Sequence, residues 1–192
     1  YKKYLNYLKY IKNNYFKNLI NIKNLSFIFE ISKILKINFK TVLEVTNKFK
    51  GLDYRQQIIY NSKKLAVIND SKSTSLSSTK LLLKSYENIY WILGGLAKKG
   101  DKLNLDKKYF NKIRAYIYGQ DRDFFSQILL KKIEIKFAKN LNESLKLVFK
   151  DLKKDKQKKI ILFSPSAASF DQFKNFEVRG LYFNKIIKKY IN

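Results

Sequence analysis

From position 64 to the end, the sequence repeats one arrangement: a short apolar run, then a stretch with helical periodicity. "KLAVIND" (64–70), "IYWILGG" (89–95), "RAYIYG" (114–119), "IEIKFA" (133–138) and "KIILFSP" (159–165) have the length and the aromatic or β-branched content of strands. The intervals 75–86, 105–113, 122–132 and 141–154 carry helical periods, and a last helix is predicted from about 170 to 191. Parallel strands need a long crossover between them, and a helix supplies one. The alternation therefore predicts an α/β fold, a doubly wound and mostly parallel sheet with helices on both faces. Such sheets bind ligands beyond the carboxyl ends of their strands. Three of those ends run into unusual residues: "NDSKSTS", "GGLAKKGD" and "SPSAASFDQF".

Residues 1–50 have a different texture and contain no glycine. "NLSFIFEISKIL" places Leu25, Phe29, Ile31 and Leu35 near a 3.6-residue period, and "KTVLEVTNKF" forms a second amphipathic stretch. The opening "YKKYLNYLKYIKNNYFKNL" reads equally as helix or as a strand-rich end. Gly51 in "FKGLDYR" is a helix stop signal and marks a hinge. The expected organisation is a mostly helical segment, 1–50, and an α/β domain, 51–192. A chain that begins at Tyr1 is expected to be a fragment of a longer protein.

The composition excludes much chemistry. Without cysteine there is no disulfide framework, thiolate metal site or thiol nucleophile. Without histidine there is no Ser–His–Asp catalysis and no imidazole acid–base chemistry. No apolar run reaches the roughly 18–20 residues of a membrane span, and no signal-peptide pattern opens the chain. The formal net charge of +26 invites a nucleic-acid reading. Against it, only Arg55, Arg114, Arg122 and Arg179 are arginines, the side chain that phosphate and base readout favour. The lysines are scattered along the chain, as an AT-rich coding sequence would scatter them. A non-catalytic basic module that binds nucleic acid or another polyanion remains the alternative expectation.

The three unusual strand ends have bland and functional readings. "INDSKSTS" caps a helix, yet Asn69, Asp70, Ser71, Lys72 and Thr74 exceed what capping needs. Hydroxyls and a lysine at a helix start suit an anion. "LGGLAKKGD" pairs two glycines with Lys98, either as a plain turn or as a close backbone approach to a ligand. "SPSAASFDQFKNFEVRG" holds the chain's one proline. It reads as a turn with Ser169 as helix cap and Phe170, Phe173 and Phe176 in the core, or as a small-residue cradle for a carboxylate. Nothing here supplies acid–base machinery, so the pattern suggests one lobe of a ligase or transferase.

Taken together, "INDSKSTS", "ILGGLAKKGD" and "SPSAASFDQFKNFEVRGLYF" resemble the C-terminal part of the D-glutamate-adding Mur ligases. "FKGLDYR" resembles that family's Gly-Leu-Pro-His-Arg hinge, and "NIKNLSFIFEIS" its His-Asn-x-x-Asn helix in the central ATPase domain. The resemblance implies a Rossmann-like C-terminal domain preceded by a helical remnant of the central domain. It implies an ATP-dependent ligase of peptidoglycan synthesis that joins UDP-N-acetylmuramoyl-L-alanine to D-glutamate through an acyl phosphate, with ADP released and Mg2+ present. It also implies a cytoplasmic monomer with no nucleic-acid or membrane partner. Matched position by position, Thr74 and Lys98 hold one D-glutamate carboxylate, and Ser169 and the Phe176 backbone hold the other, with Phe170 alongside. Lys72 matches a catalytic lysine near the reacting groups. Asp70 matches a ribose-binding aspartate, Arg55 a phosphate-reaching arginine and Asn21 an adenine-side asparagine. Tyr54, Ile20, Leu96 and Ala97 depart from the family pattern. No Gly-Lys-Ser/Thr phosphate loop occurs. The resemblance thus implies that ATP and Mg2+ are bound mainly outside this chain, which alone should not turn over.

Overall fold

The computed structural model describes residues 2–17, 19–153 and 157–191. The chain forms two compact units, Tyr1–Gly51 and Leu52–Asn192.

The first unit holds 3-10 turns at Lys2–Tyr10 and Asn14–Lys17, then α1 (Leu19–Ile34) and α2 (Phe39–Lys48). Ile11, Phe16, Leu25, Phe29 and Val42 make its small core. Asn38 caps α2 by accepting from the Lys40 N–H at 2.8 Å. Asn13 ties the entry segment to the end of that helix, donating to the carbonyls of Thr46 (2.9 Å) and Phe49 (2.6 Å). Of the four apolar residues placed on one helical period, Leu25 and Phe29 are buried while Ile31 and Leu35 are exposed. At roughly 100° per residue, Ile31 and Leu35 point away from Leu25 and Phe29. Helix α1 is thus apolar on two sides, and only one of them is covered among the described residues. Phe27, Ile28, Ile31 and Ile34 line the other side, Ile34 with 76% of its surface exposed.

The second unit is a six-stranded sheet in the order β1-β2-β6-β3-β4-β5. The strands are β1 (Gln57–Asn61), β2 (Leu65–Asn69), β3 (Ile89–Gly94), β4 (Ile113–Tyr118), β5 (Glu134–Phe137) and β6 (Lys159–Phe163). Five run parallel, and β1 pairs antiparallel with β2 at the edge. The crossovers include α3 (Leu76–Ser85), α4 (Arg122–Leu129) and α5 (Leu141–Leu152), and α6 (Phe176–Ile191) follows β6. Strand β3, the centre of the sheet, is buried along its whole length, as continuous apolar runs in parallel sheets require.

Side chains alternate between the two faces of the sheet. Val67, Tyr90, Ile92, Tyr116, Ile161 and Phe163 pack with Leu141, Leu145 and Val148 of α5 and Phe183 and Ile187 of α6. The Phe163 and Phe183 rings stack at 4.3 Å and so dock α6 on the sheet. The alternate residues Trp91, Leu93, Ala115, Ile117 and Leu162 are fully buried on the other face, where α3 and α4 bring Leu82, Leu83, Phe125 and Leu129. Burial on both faces is the doubly wound arrangement that the alternation predicts.

Several boundaries differ from expectation. Strand β1, "QIIYN", carries no clean alternation and shows a register shift between Ile58 and Tyr60, which is why its pattern is weak. The period at 105–113 is a 3-10 turn at Lys107–Lys112. Of the period at 141–154, residue 154 lies outside the described residues. The last helix begins at Phe176 rather than near 170. In between, the Ser169 carbonyl accepts from the N–H groups of Gln172 (3.1 Å) and Phe173 (2.8 Å), closing a local turn. Asn175, not Ser169, caps the helix, its side chain accepting from the Val178 N–H at 2.8 Å. Phe170 is no core residue, being 70% exposed. Phe173 packs half-buried against the core, and Phe176 is half-buried.

Candidate functional site

The carboxyl ends of β2, β3, β4 and β6 converge, and main-chain hydrogen bonds tie their loops together. The Gly94 N–H donates to Pro165 O at 2.9 Å, and Leu96 and Ala168 exchange a reciprocal pair at 3.0 and 2.9 Å. The Lys98 loop is thereby fixed against the loop that carries Ser169. The double glycine is required here. A Cβ on Gly94 (φ +139°) would lie 1.9 Å from the Tyr118 carbonyl oxygen, and one on Gly95 (φ +131°) 2.3 Å from that of Ala168. The loop after β4 joins the cluster through Asp171, which accepts from the Gln120 N–H at 3.2 Å, and through Asp121, which accepts from the Ala97 N–H at 2.8 Å.

The loop after β2 is anchored from below. Asn69 donates to Gly180 O (2.9 Å) and Asn184 Oδ1 (2.7 Å), both in α6, and its own oxygen accepts from the Ser71 N–H at 3.0 Å. Ser71 Oγ donates to Phe176 O at 2.8 Å. A buried run of hydroxyls fills the space between the loops: Ser73 with Ser78 and Thr79, and Thr79 with Ser164 and Ser166, all at 2.7 Å. Trp91 Nε1 donates to Ser164 O at 2.8 Å. Each hydroxyl of this run has a partner, which fixes the loops rather than leaving them to solvent.

Asp70 closes this network. Its carboxylate accepts from Ser164 Oγ at 2.8 Å and from the Gln56 N–H at 3.1 Å, with only 5% of the residue exposed. Burial pushes the carboxyl up to about 7, against the opposing pull of Ser164, the Gln56 amide and the positive charge of Arg55. The segment it grips is unusual, since Tyr54 (φ 57°) and Gln56 (φ 52°) both adopt left-handed backbone conformations. The Tyr54 ring lies over Gly180, whose missing Cβ would come 2.3 Å from Tyr54 Cδ1. The Lys72 N–H donates to Tyr54 O at 3.0 Å.

The sequence-predicted residues fall as follows. Lys72, Thr74, Lys98, Ser169 and Phe170 lie on the loops that meet at the carboxyl end of the sheet, and Phe176 opens α6 at the end of the last of them. Lys72, Thr74 and Lys98 are exposed, and Ser169 is buried beneath the rim. Lys72 Nζ sits over the Phe176 ring, 3.9 Å from its centroid, and this cation–π contact holds the amine beside the start of α6. Asp70 and the exposed Arg55 belong to the same unit. Asn21 belongs to the first unit, buried, with its amide donating to Tyr15 O at 2.7 Å. Among the described residues no three acidic, histidine or cysteine side chains come together as a metal site.

Sequence reasoning missed Thr79, Trp91, Tyr118, Asp171 and Arg179, which build the floor of the site. For Arg179 a signal existed: it is one of four arginines in a chain whose other basic residues are all lysine.

No family model matches the chain. Curated relatives do. The chain is 34% identical to the UDP-N-acetylmuramoylalanine–D-glutamate ligase of a Wolbachia endosymbiont of Brugia malayi, over 88% of this chain and 34% of that protein. It is 36% identical to the ligase of that name from Rickettsia prowazekii, over 93% of this chain and 40% of the relative. For the one from Buchnera aphidicola the identity is 35%, over 88% and 38%. The chain therefore spans well under half the length of the relatives it matches. Among solved structures it is similar in fold to UDP-N-acetylmuramate–alanine ligase MurC of Thermotoga maritima (TM-score 0.64, 17% identity, 91% of this chain and 38% of that one). It is likewise similar to MurF of Acinetobacter baumannii (TM-score 0.61, 15% identity, 89% and 38%). The comparisons give no support to the alternative of a basic polyanion-binding module.

Proposed function

Because the chain belongs to the Mur ligases and matches the D-glutamate-adding branch over most of its length, we propose that it is the part of such a ligase that binds D-glutamate during peptidoglycan synthesis. The reaction is ATP-dependent amide-bond formation, in which ATP supplies the phosphoryl group that activates the carboxylate of UDP-N-acetylmuramoyl-L-alanine. The observation that carries this reading is the convergence of the loops after β2, β3 and β6, which bring the cationic and hydroxyl groups suited to a dicarboxylic acid to one rim.

Lys98 and Thr74 take one D-glutamate carboxylate from the solvent side. Ser169 and the main chain of Phe176 take the other, where the unsatisfied N–H groups and dipole of the 16-residue α6 favour negative charge. Two charged carboxylates met by ammonium and N–H donors give short, charge-assisted hydrogen bonds. Phe170, exposed beside Ser169, shields that end from water. Lys72, held by the Phe176 ring, presents its cation to the oxygens that gain charge as the D-glutamate amine attacks.

On the nucleotide side the proposal assigns Arg55 to the phosphates, Asp70 to the ribose and Asn21 to the adenine. The Asp70 carboxylate already accepts from Gln56 N–H on one oxygen and from Ser164 Oγ on the other, and each oxygen keeps a lone pair for a ribose hydroxyl. Mg2+ is assigned mainly to parts of the ligase beyond this chain. No helix among the described residues is long and apolar enough to cross a membrane. A cytoplasmic monomer that binds D-glutamate without turning over alone completes the reading.

Calorimetric titration of D-glutamate into the chain tests the site. Losing one charge-assisted hydrogen bond costs about 1.5–3 kcal/mol, so Lys98→Ala and Ser169→Ala should each weaken binding by roughly 10- to 100-fold. Unchanged affinity in both variants overturns the assignment.

A further inference from the structure

Arg179 is 1% exposed, and its guanidinium lies beneath the rim rather than on it. Nε donates to Ser71 Oγ at 3.1 Å, and Nη2 donates to Ser71 O at 2.8 Å and to Ala167 O at 3.0 Å. Nη1 points toward the close-packed turn after β3, where a Cβ on Gly95 would lie 3.4 Å from it. Nη1 and the Tyr118 hydroxyl are both enclosed and make no full hydrogen bond, but they interact electrostatically with each other and with Asp171. The reach of this one side chain thus covers the loop after β2, the turn after β3, the end of β4 and the loop after β6. Through Ser71, which donates to Phe176 O, it also reaches the first residue of α6.

Among the described residues no carboxylate stands within ion-pairing distance of Arg179. A buried guanidinium held only by carbonyl and hydroxyl oxygens is costly to desolvate, and burial pulls its ionisation below the ordinary arginine value. A purely structural joint could be made more cheaply from apolar side chains. Lysine, the chain's usual cation, cannot make these contacts, because a single ammonium does not reach three separated directions in one plane.

The structure assigns Arg179 the role of a positioning residue: one buried guanidinium sets the mutual register of the three loops that present Lys72, Thr74, Lys98, Ser169 and Phe176 to the amino-acid substrate. The substrate's identity rests on the D-glutamate reading above; the register does not. Arg179 touches no substrate. It acts through Ser71, Ala167 and the Gly95 turn.

The test compares wild type, Arg179→Lys and the milder Ser71→Ala, each first shown to be folded by its thermal transition. Backbone amide spectra of the ligand-free chains report loop register, and calorimetry reports affinity for D- and L-glutamate. Arg179→Lys should shift the amides near residues 72–74, 96–98 and 167–169 together while leaving those of β5 in place. It should raise the dissociation constant for D-glutamate about tenfold and erode the preference for D over L. Ser71→Ala should give the same pattern with a smaller change, about threefold. Should Arg179→Lys fail to fold, Ser71→Ala decides alone. A residue that merely stabilised the fold would lower the transition temperature yet leave the spectra, affinity and D/L ratio of the folded protein unchanged, and that result overturns the proposal. Failure of the wild-type chain to bind D-glutamate would sink the substrate reading, and the amide shifts would still decide whether Arg179 sets the loops.

Discussion

The two units of this chain treat apolar surface in opposite ways. In the second unit both faces of the sheet are sealed: β3 is buried throughout, with α5 and α6 on one face and α3 and α4 on the other. In the first unit α1 offers two apolar sides and the described residues cover one, leaving Phe27, Ile31, Ile34 and Leu35 to solvent. A helix with apolar residues on two sides suits a larger core that can cover both. The contrast teaches where each unit obtains its stability. The second unit is self-sufficient in packing, and the first has the surface of a piece cut from something bigger, which fits a chain covering 34–40% of the length of its relatives.

The sharpest way to break that contrast is to open the sealed core. Trp91 is fully buried and also donates to the Ser164 carbonyl. Trp91→Ala should cost about 3–5 kcal/mol, read as a large fall in the denaturation midpoint, with the loops above it disordered. A loss below about 1 kcal/mol would mean that the sheet is not the closed core described.

Next in size is an effect of pH confined to the second unit. The Asp70 carboxyl rises from its ordinary 3.8 to about 7 in the fold. Between those values the native state holds a proton that the unfolded chain has released, so this group's contribution falls as pH rises through the window and is level above it. At 1.36 kcal/mol per unit the fall amounts to about 4 kcal/mol as an order of magnitude. Urea denaturation of wild type and Asp70→Asn between pH 4.5 and 8 should show the wild type losing stability relative to the variant as pH rises. Parallel curves would contradict the burial assigned to this carboxyl.

The smallest effect falls in the first unit. Ile34→Ser, on the open side of α1, should change stability by no more than about 0.5 kcal/mol in urea denaturation. A core-sized loss would show that this side is covered after all.

Much of this was legible in the sequence, for a physical reason. Parallel strands buried on both faces are continuous apolar runs, so "IYWILG" and "KIILF" declare themselves and their carboxyl ends can be located. Edge strand β1 was not legible, because a half-exposed strand with a register shift keeps neither a run nor an alternation. The start of α6 was misjudged because "SFDQF" has the composition of a helix entry while its hydrogen bonds close a turn about Ser169. The rim of the candidate site could be read from unusual local strings. Its floor could not, apart from the rarity of arginine that singles out Arg179, since Thr79, Trp91, Tyr118 and Arg179 come from four separate elements and meet only in the fold.

The central claim is that the rim formed by the loops after β2, β3 and β6 binds D-glutamate. Titrating D-glutamate into isotope-labelled chain and following the backbone amides tests it most directly. The account expects saturable shifts at Thr74, Lys98, Ser169 and Phe176, with little response in the first unit and a weaker response to L-glutamate. An absence of shifts at these four positions, or equal shifts scattered over the lysine-rich surface and abolished by modest salt, would contradict it.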